Sequence, residues 1–385
     1  MRRRRIPVAW RQLASERLRL AAAVAGITFA SMLMLMQLGF REALLQSATL
    51  VHDRLDADLV LISPLYQYLV EATSFPDRRL VQALGAEGVE AVAPVYVTLA
   101  KWRNPETGRA FLVALIGFDI TRPTLTMVDV RDHLGALALP DSVLVDAASR
   151  PDIGPVADWV RSGVPVVSEV NGRRVTVAGL FTLGTSFGVN GMIMTSDLNF
   201  VRMVPNRPLH MIDIGLIRLA SGADPVQVRD HLRSVLPPDV RVLTRQEFAD
   251  EEQAYWLNTS PVGFIFDLGT TMGLIVGAVI VYQILYTDIS DHLPEYATLK
   301  AMGFSDRRLI GIVFHEAAIL AVLGFLPGLL IAQGLYVMTR TQTNLPMLMT
   351  PARIIGVFAL TVGMCMGSGA LAARRLRSAD PAEVF

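Results

Sequence analysis

At 385 residues, 52% hydrophobic and only 18% charged, with a mean hydropathy of +0.42, the chain is too apolar for an average soluble protein, and a membrane protein is the class left. Lysine plus arginine and aspartate plus glutamate each total 35, so no net field draws nucleic acid to it. The single cysteine, Cys365, excludes an intrachain disulfide and a thiolate metal cluster.

Residues 1–19 are a basic leader, with Arg2 to Arg5, Arg11, Arg17 and Arg19 around Trp10. The apolar run at 20–40 is ~20 residues long, enough for a ~30 Å hydrocarbon layer, and no A-x-A-like site follows it. It reads as an uncleaved first transmembrane helix. Beyond it Leu44, Ala48, Val51 and Leu55 recur about every four residues, which predicts a helix over 41–56, either a continuous stalk or a surface helix of the next domain.

From 57 to 260 no stretch is long enough to span a bilayer. Strands are predicted at 58–62, 89–100, 110–118, 142–146, 173–181, 192–195, 212–219 and 241–244. Helices are predicted after Pro76, near Asp197, after Pro225 and from Thr244, where Thr244 and Glu247 make a capping-box pattern. The mixed order implies an α+β domain, and the Pro and Gly punctuation from Pro123 to Pro165 suits a subdomain inserted at about 121–209.

Three further spans follow at 261–286, 309–337 and 354–372, the third of the four spans containing Pro327. The connection at 287–308 is charged, the one at 338–353 carries only Arg340 and Arg353, and the tail at 373–385 is rich in arginine. By the positive-inside rule the leader, the 287–308 loop and the tail are cytoplasmic, which places 57–260 outside.

Chemistry is sparse. Lys101 and Lys300, the two lysines, do not follow a glycine, so no phosphate-cradling G-x-x-x-x-G-K-[ST] loop exists and any energy from ATP must come through a partner. The six histidines are scattered, without metal spacing. Gly184 to Gly188 lacks the spacing of a serine nucleophile elbow and reads as a loop. His315 and Glu316 are ionisable groups at the start of a span, read either as a proton or ion path or as groups snorkelling to the edge. Gln283 and Gln333 are placed to bond between helices.

Phe40-Arg41-Glu42-Ala43-Leu44, Ser74-Phe75-Pro76, Tyr282 to Asp288, Asp291 to Gly303 and Leu376 to Ala382 together resemble the FtsX-like permeases of MacB-type (type VII) ABC transporters, and within them the DevC-type (heterocyst-type) permeases. The resemblance implies an α-helical membrane protein with four transmembrane helices and a large α+β, MacB-like periplasmic domain inserted between helices 1 and 2. It implies a homodimer without an ATPase site of its own, working with a DevA-like ABC ATP-binding subunit that holds ATP and Mg. It further implies a DevB-like periplasmic membrane fusion protein, a TolC-like outer-membrane channel, and an exported cargo such as a glycolipid. The site implied is a coupling segment to the ATP-binding subunit: Asp291, His292, Glu295, Tyr296, Thr298, Leu299, Lys300, Met302, Gly303 and Phe304. Read from residues alone, the same segment is also an amphipathic helix lying on lipid. Two other functions share this architecture, an FtsX-like regulator of a cell-wall hydrolase and a Lol-type lipoprotein or lipid extractor.

Overall fold

A computed structural model describes residues 17–302 and 304–374. Residues 1–16 of the leader, Gly303 and residues 375–385 of the tail, with the Leu376 to Ala382 motif, lie outside the described residues. The chain divides into a helical unit (1–42, 264–338 and 347–385) and an α/β unit (43–263 with 339–346).

In chain order, helix α1 spans Arg17–Ala48 and is followed by a single 3-10 turn, His52–Arg54. The α/β unit then runs β1 (Leu59–Ile62), β2 (Phe75–Pro76), α2 (Arg78–Leu84), β3 (Val89–Arg103), β4 (Ala110–Phe118), α3 (Val128–Arg131), α4 (Leu134–Leu137) and β5 (Ser142–Asp146). It continues through α5 (Val156–Arg161), β6 (Val167–Val170), β7 (Arg173–Phe181), β8 (Met192–Ser196), α6 (Asp197–Met203), β9 (Met211–Ile212) and β10 (Ile214–Leu219). It ends with α7 (Pro225–Val235), β11 (Arg241–Thr244) and α8 (Arg245–Ala254), after which a π-helical turn, Tyr255–Thr259, leads to α9 (Pro261–Asp291). The remaining helices are α10 (Leu293–Ala301), α11 (Asp306–Thr343) and α12 (Pro351–Ala372).

Nine strands form one sheet in the order β11-β1-β10-β3-β4-β8-β5-β7-β6, and β6 pairs back onto β3 at Trp102↔Val170 and Arg103↔Glu169. The ring β3-β4-β8-β5-β7-β6 is therefore a closed barrel, while β10, β1 and β11 extend from the first half of β3 as an open sheet. The expected subdomain at about 121–209 supplies β5 to β8 of this same sheet, so its strands extend the sheet instead of founding a second one. The 15-residue β3 makes this possible: Val89–Val95 pairs with β10 and Val95–Arg103 with β4.

Both faces of β1 are covered. Leu59 and Leu61 join one apolar core, with Phe75, Leu80 and the barrel interior, while Val60 and Ile62 join another with Val51, Leu55 and Phe248. A strand buried on both sides reads as an unbroken apolar run, which is what Leu59 to Ile62 is. Inside the barrel Trp102 is fully buried, and its indole N–H donates to the Ile153 carbonyl over 3.0 Å, so the ring packs apolar without an orphaned donor. Gly117 lies under Phe200, where a Cβ would come within 2.6 Å of the Phe200 side chain. The Thr244 and Glu247 capping box is present, each side chain bonded to the other's backbone N–H.

In the helical unit, α1, α9, α11 and α12 are each long and apolar enough to cross a membrane. The first ends at Ala48 rather than reaching 56; α9 ends five residues beyond its expected span, α11 starts three before and ends six beyond, and α12 starts three before. Gly324 and Gly328, one turn apart on α11, let α1 approach: a Cβ on Gly324 would sit 2.4 Å from Ile27 Cβ. Polar groups add to this packing, with Thr28 donating to the Gly324 carbonyl at 3.0 Å, Ser31 and Thr361 hydroxyls 3.1 Å apart, and Ser368 donating to the Ala278 carbonyl at 2.8 Å. Gln283 and Gln333, expected to bond between helices, are exposed instead. Small hydroxyl residues take that role because they fit where backbones come close.

Candidate functional site: the 288–308 segment

Between α9 and α11, both apolar, the chain makes one short helix. His292 precedes α10 and Pro294 lies in its first turn, where a missing N–H costs nothing and the fixed φ suits a helix. Periodicity then divides the helix. Tyr296 and Ala297 are each 1% exposed and pack with Ile289, Leu309 and Val313, with Leu299 partly buried beside them. Glu295 and Thr298 face outward, and beyond the last turn Met302 and Phe304 are 64% and 42% exposed.

Hydrogen bonds fix both ends. The Met302 N–H donates to the Thr298 carbonyl at 3.0 Å and the Phe304 N–H to the Leu299 carbonyl at 3.1 Å, closing the C-terminus of α10. At the start, Asp291 pairs with Arg19 of α1 at 2.6 Å, and His292 Nδ1 lies 3.0 Å from the Asp288 carbonyl. Thr298 spends its hydroxyl on the Pro294 carbonyl at 2.9 Å, and Lys300 is half-buried.

The expected coupling residues thus separate into three sets. Tyr296, with Leu299, is turned into the helical unit and anchors α10. Glu295, Thr298, Met302 and Phe304 form the outward face, two large apolar side chains beside one carboxylate, while Asp291 and His292 are tied to neighbouring elements. Such a face can dock on a protein; it carries no nucleophile or acid–base pair. Among the described residues no group of three metal-ligating side chains occurs.

Glu316, read either as part of an ion path or as snorkelling, is 0% exposed, and neither carboxyl oxygen has a hydrogen-bond partner. It lies on α11. His315 is exposed with Nδ1 2.6 Å from the Gly311 carbonyl.

Sequence reasoning missed a buried polar cluster in the α/β unit. Glu252 of α8 is 2% exposed and accepts from the Tyr66 hydroxyl at 2.7 Å, the Leu69 N–H at 2.9 Å and the Trp256 indole N–H at 3.0 Å. His52 Nε2 lies 3.7 Å from the same carboxylate, and its fully buried ring packs on Phe248 with centroids 4.3 Å apart. Burial pushes the Glu252 carboxyl up to about 7 despite its three donors, and burial holds the His52 imidazole down to about 3, so it is neutral. The signal available was Phe248 and Glu252 four apart on one helix face, a glutamate on an apolar stripe.

A second missed feature is the return of the chain into this unit at 339–346. Thr185, fully buried in the glycine-flanked loop, donates to the Asn344 carbonyl at 2.9 Å, and the Asn344 amide donates to the Ser149 carbonyl at 3.2 Å. Asp146 holds the other end of that loop by accepting from the Leu183 and Gly184 N–H groups.

Comparison with known proteins places one part of the chain. Residues 268–381 match the family model for the FtsX-like permease C-terminal domain. That span contains most of α9 and all of α10, α11 and α12, so these helices are the part of the chain similar to FtsX-like permeases. No curated protein matches the chain. Among solved structures it is similar to the periplasmic region of MacB from Actinobacillus actinomycetemcomitans, at 10% identity over 51% of this chain and 92% of that one, with a TM-score of 0.35. It is also similar to the extracellular domain of the noncanonic ABC-type transporter YknZ from Gram-positive bacteria, at 13% identity over 49% and 98%, with a TM-score of 0.32.

Proposed function

We propose that the chain is the permease subunit of a MacB-type ABC exporter, close to the DevC type, which takes force from a separate ATP-binding subunit and delivers it to its α/β unit. The observation that carries the reading is α10, inside the permease domain matched at 268–381: its outward face offers Glu295, Thr298, Met302 and Phe304 while Tyr296 is locked inside. A close-packed anchor transmits displacement because interiors have little compressible space. Closure of the ATP-binding subunits on ATP would then shift α10, and through Tyr296 the α9 and α11 helices beside it.

The chain crosses between the helical unit and the α/β unit four times, after 42, 263, 338 and 346, so motion of the helices has several covalent routes to the other unit. ATP and Mg stay on the partner. In this reading the permease is a homodimer in the inner membrane with cytoplasmic termini, and its periplasmic α/β unit meets a membrane fusion protein and a TolC-like channel. A glycolipid is a fitting cargo for such an assembly.

Co-purification of the ATP-binding subunit with Glu295→Arg and Met302→Asp variants tests the coupling. Weaker association and lost ATPase stimulation are expected; full retention of both rejects it. Orientation is tested by labelling Ser162→Cys, an exposed position, whereas Ser142 is buried in β5 and Cys365 is buried in α12. Reaction with an impermeant thiol reagent from the cytoplasmic side alone reverses the topology.

A further inference from the structure

The helical unit has an open groove that the coupling reading does not use. It lies between α9, α11 and α12, has a volume of about 1090 Å³, and is walled by Leu274, Ala278, Ile310, Phe314, Leu360 and Leu371. Its floor is α12, which has two unlike sides. Gly369 faces packed neighbours, with Ala317 Cβ 3.4 Å from where its own Cβ would be, whereas a Cβ on Gly356, Gly363 or Gly367 would meet nothing within 4 Å.

The groove is chemically polarised. Among the described residues no acidic side chain lines it, and Arg374 stands at one end. Arg374 also borders the adjoining groove of about 610 Å³, which holds Tyr282 and Tyr286, rings 5.8 Å apart. Among the described residues no carboxylate is within ion-pair distance of Arg374. Arg375 and Arg377 follow it in the sequence. One end thus offers an unpaired guanidinium and two phenols, and the remainder offers only apolar surface.

We propose that this groove is a binding site for an anionic phospholipid, its acyl chain along Gly356, Gly363 and Gly367 and its phosphate on Arg374. A helix of a second copy would cover the apolar length and leave the guanidinium facing apolar atoms, which is costly. A phosphate accepts the planar guanidinium bidentately, and basic pockets at the cytoplasmic ends of membrane helices suit anionic head groups. The site rests on the four helices spanning the membrane and is independent of the coupling reading.

The full chain, reconstituted in nanodiscs of phosphatidylcholine with a minor fraction of phosphatidylglycerol, is photolysed with phosphatidylglycerol or phosphatidylcholine carrying a diazirine on the acyl chain. Phosphatidylglycerol adducts are expected on α12 between Leu360 and Leu371, in excess over phosphatidylcholine adducts. Gly363→Leu, which fills open space, should abolish them. Arg374→Gln, at an exposed helix end, should reduce the phosphatidylglycerol preference about tenfold. Equal labelling by both lipids, or an unchanged preference in Arg374→Gln, overturns the site. So does absence of lipid adducts together with chain-to-chain crosslinks through α12, which would give the groove to a second copy. ATPase stimulation by the ATP-binding subunit is read separately, so failure of one proposal is not failure of the other.

Discussion

Tyr66 and Glu252, 186 residues apart in the chain, share a 2.7 Å hydrogen bond in the interior of the α/β unit. His52 Nε2 lies 3.7 Å from the same carboxylate oxygen, and Trp256 donates to the other.

The pair His52 and Glu252 predicts a flat pH response that either single substitution tilts. Glu252 is raised from 4.5 to about 7, so its contribution is full below pH 4.5 and lost as pH rises to about 7; His52 is lowered from 6.5 to about 3, so its contribution is full above 6.5 and lost as pH falls. Between pH 4.5 and 6.5 the two slopes oppose and cancel. In Glu252→Gln the His52 slope stands alone, and stability should rise relative to the native chain by about 3 kcal/mol across that window. His52→Phe should show the reverse slope. Denaturant midpoints of the full chain at several pH values measure this, and parallel curves for all three proteins refute it.

Trp102 holds the barrel closed where β3 meets β6. Trp102→Ala should cost about 3–5 kcal/mol from the cavity alone. It also leaves the Ile153 carbonyl without its donor, so Trp102→Phe should still cost about 1 kcal/mol. Chemical unfolding followed by far-ultraviolet dichroism reads both; a loss under half a kcal/mol in the alanine variant, on the order of a surface change, contradicts a closed barrel.

On α11, two glycines ten residues apart should respond differently. Gly324→Leu drives a side chain into Ile27 and should cost about 1–3 kcal/mol or prevent α1 from docking. Gly334 has nothing within 4 Å of its would-be Cβ, so Gly334→Leu should be silent. Thermal stability in detergent distinguishes them, and equal effects would mean that the close approach is not what the glycines serve.

A buried and an exposed residue of the 288–308 segment should separate folding from coupling. Tyr296→Ala empties a buried position and should lower thermal stability as well as ATPase stimulation. Met302→Asp alters an exposed side chain and should remove stimulation with stability unchanged. If Met302→Asp also unfolds the chain, its surface is structural.

The four apolar helices were legible because spanning length and low charge leave few alternatives. β4, β5, β7 and β11 fall where alternation and turn residues place them. β6 was missed, although Asn171 and Gly172 adopt positive φ of 51° and 81° in the turn to β7, and Asn-Gly is a strong hairpin signal; its short run, Val167 to Val170, breaks on Glu169 and was masked by the Pro and Gly before it. The barrel closure was illegible for a different reason. Pairing of Trp102 with Val170 is non-local, and no spacing in the sequence encodes it. The exposed Glu295 and buried Tyr296 also stood together as one contact set, because periodicity tells that a helix has two faces and not which one the neighbouring helices cover.

One strand belongs to both parts of the α/β sheet, and that makes them inseparable units of inheritance. A deletion that removed the barrel while sparing β3 would strip the Val95–Arg103 half of partners on both sides, exposing an apolar edge prone to aggregation. A deletion that took β3 would leave β10 without its neighbour. Recombination can exchange this α/β unit between related chains only whole, and swaps that cut within 89–103 should yield insoluble chains.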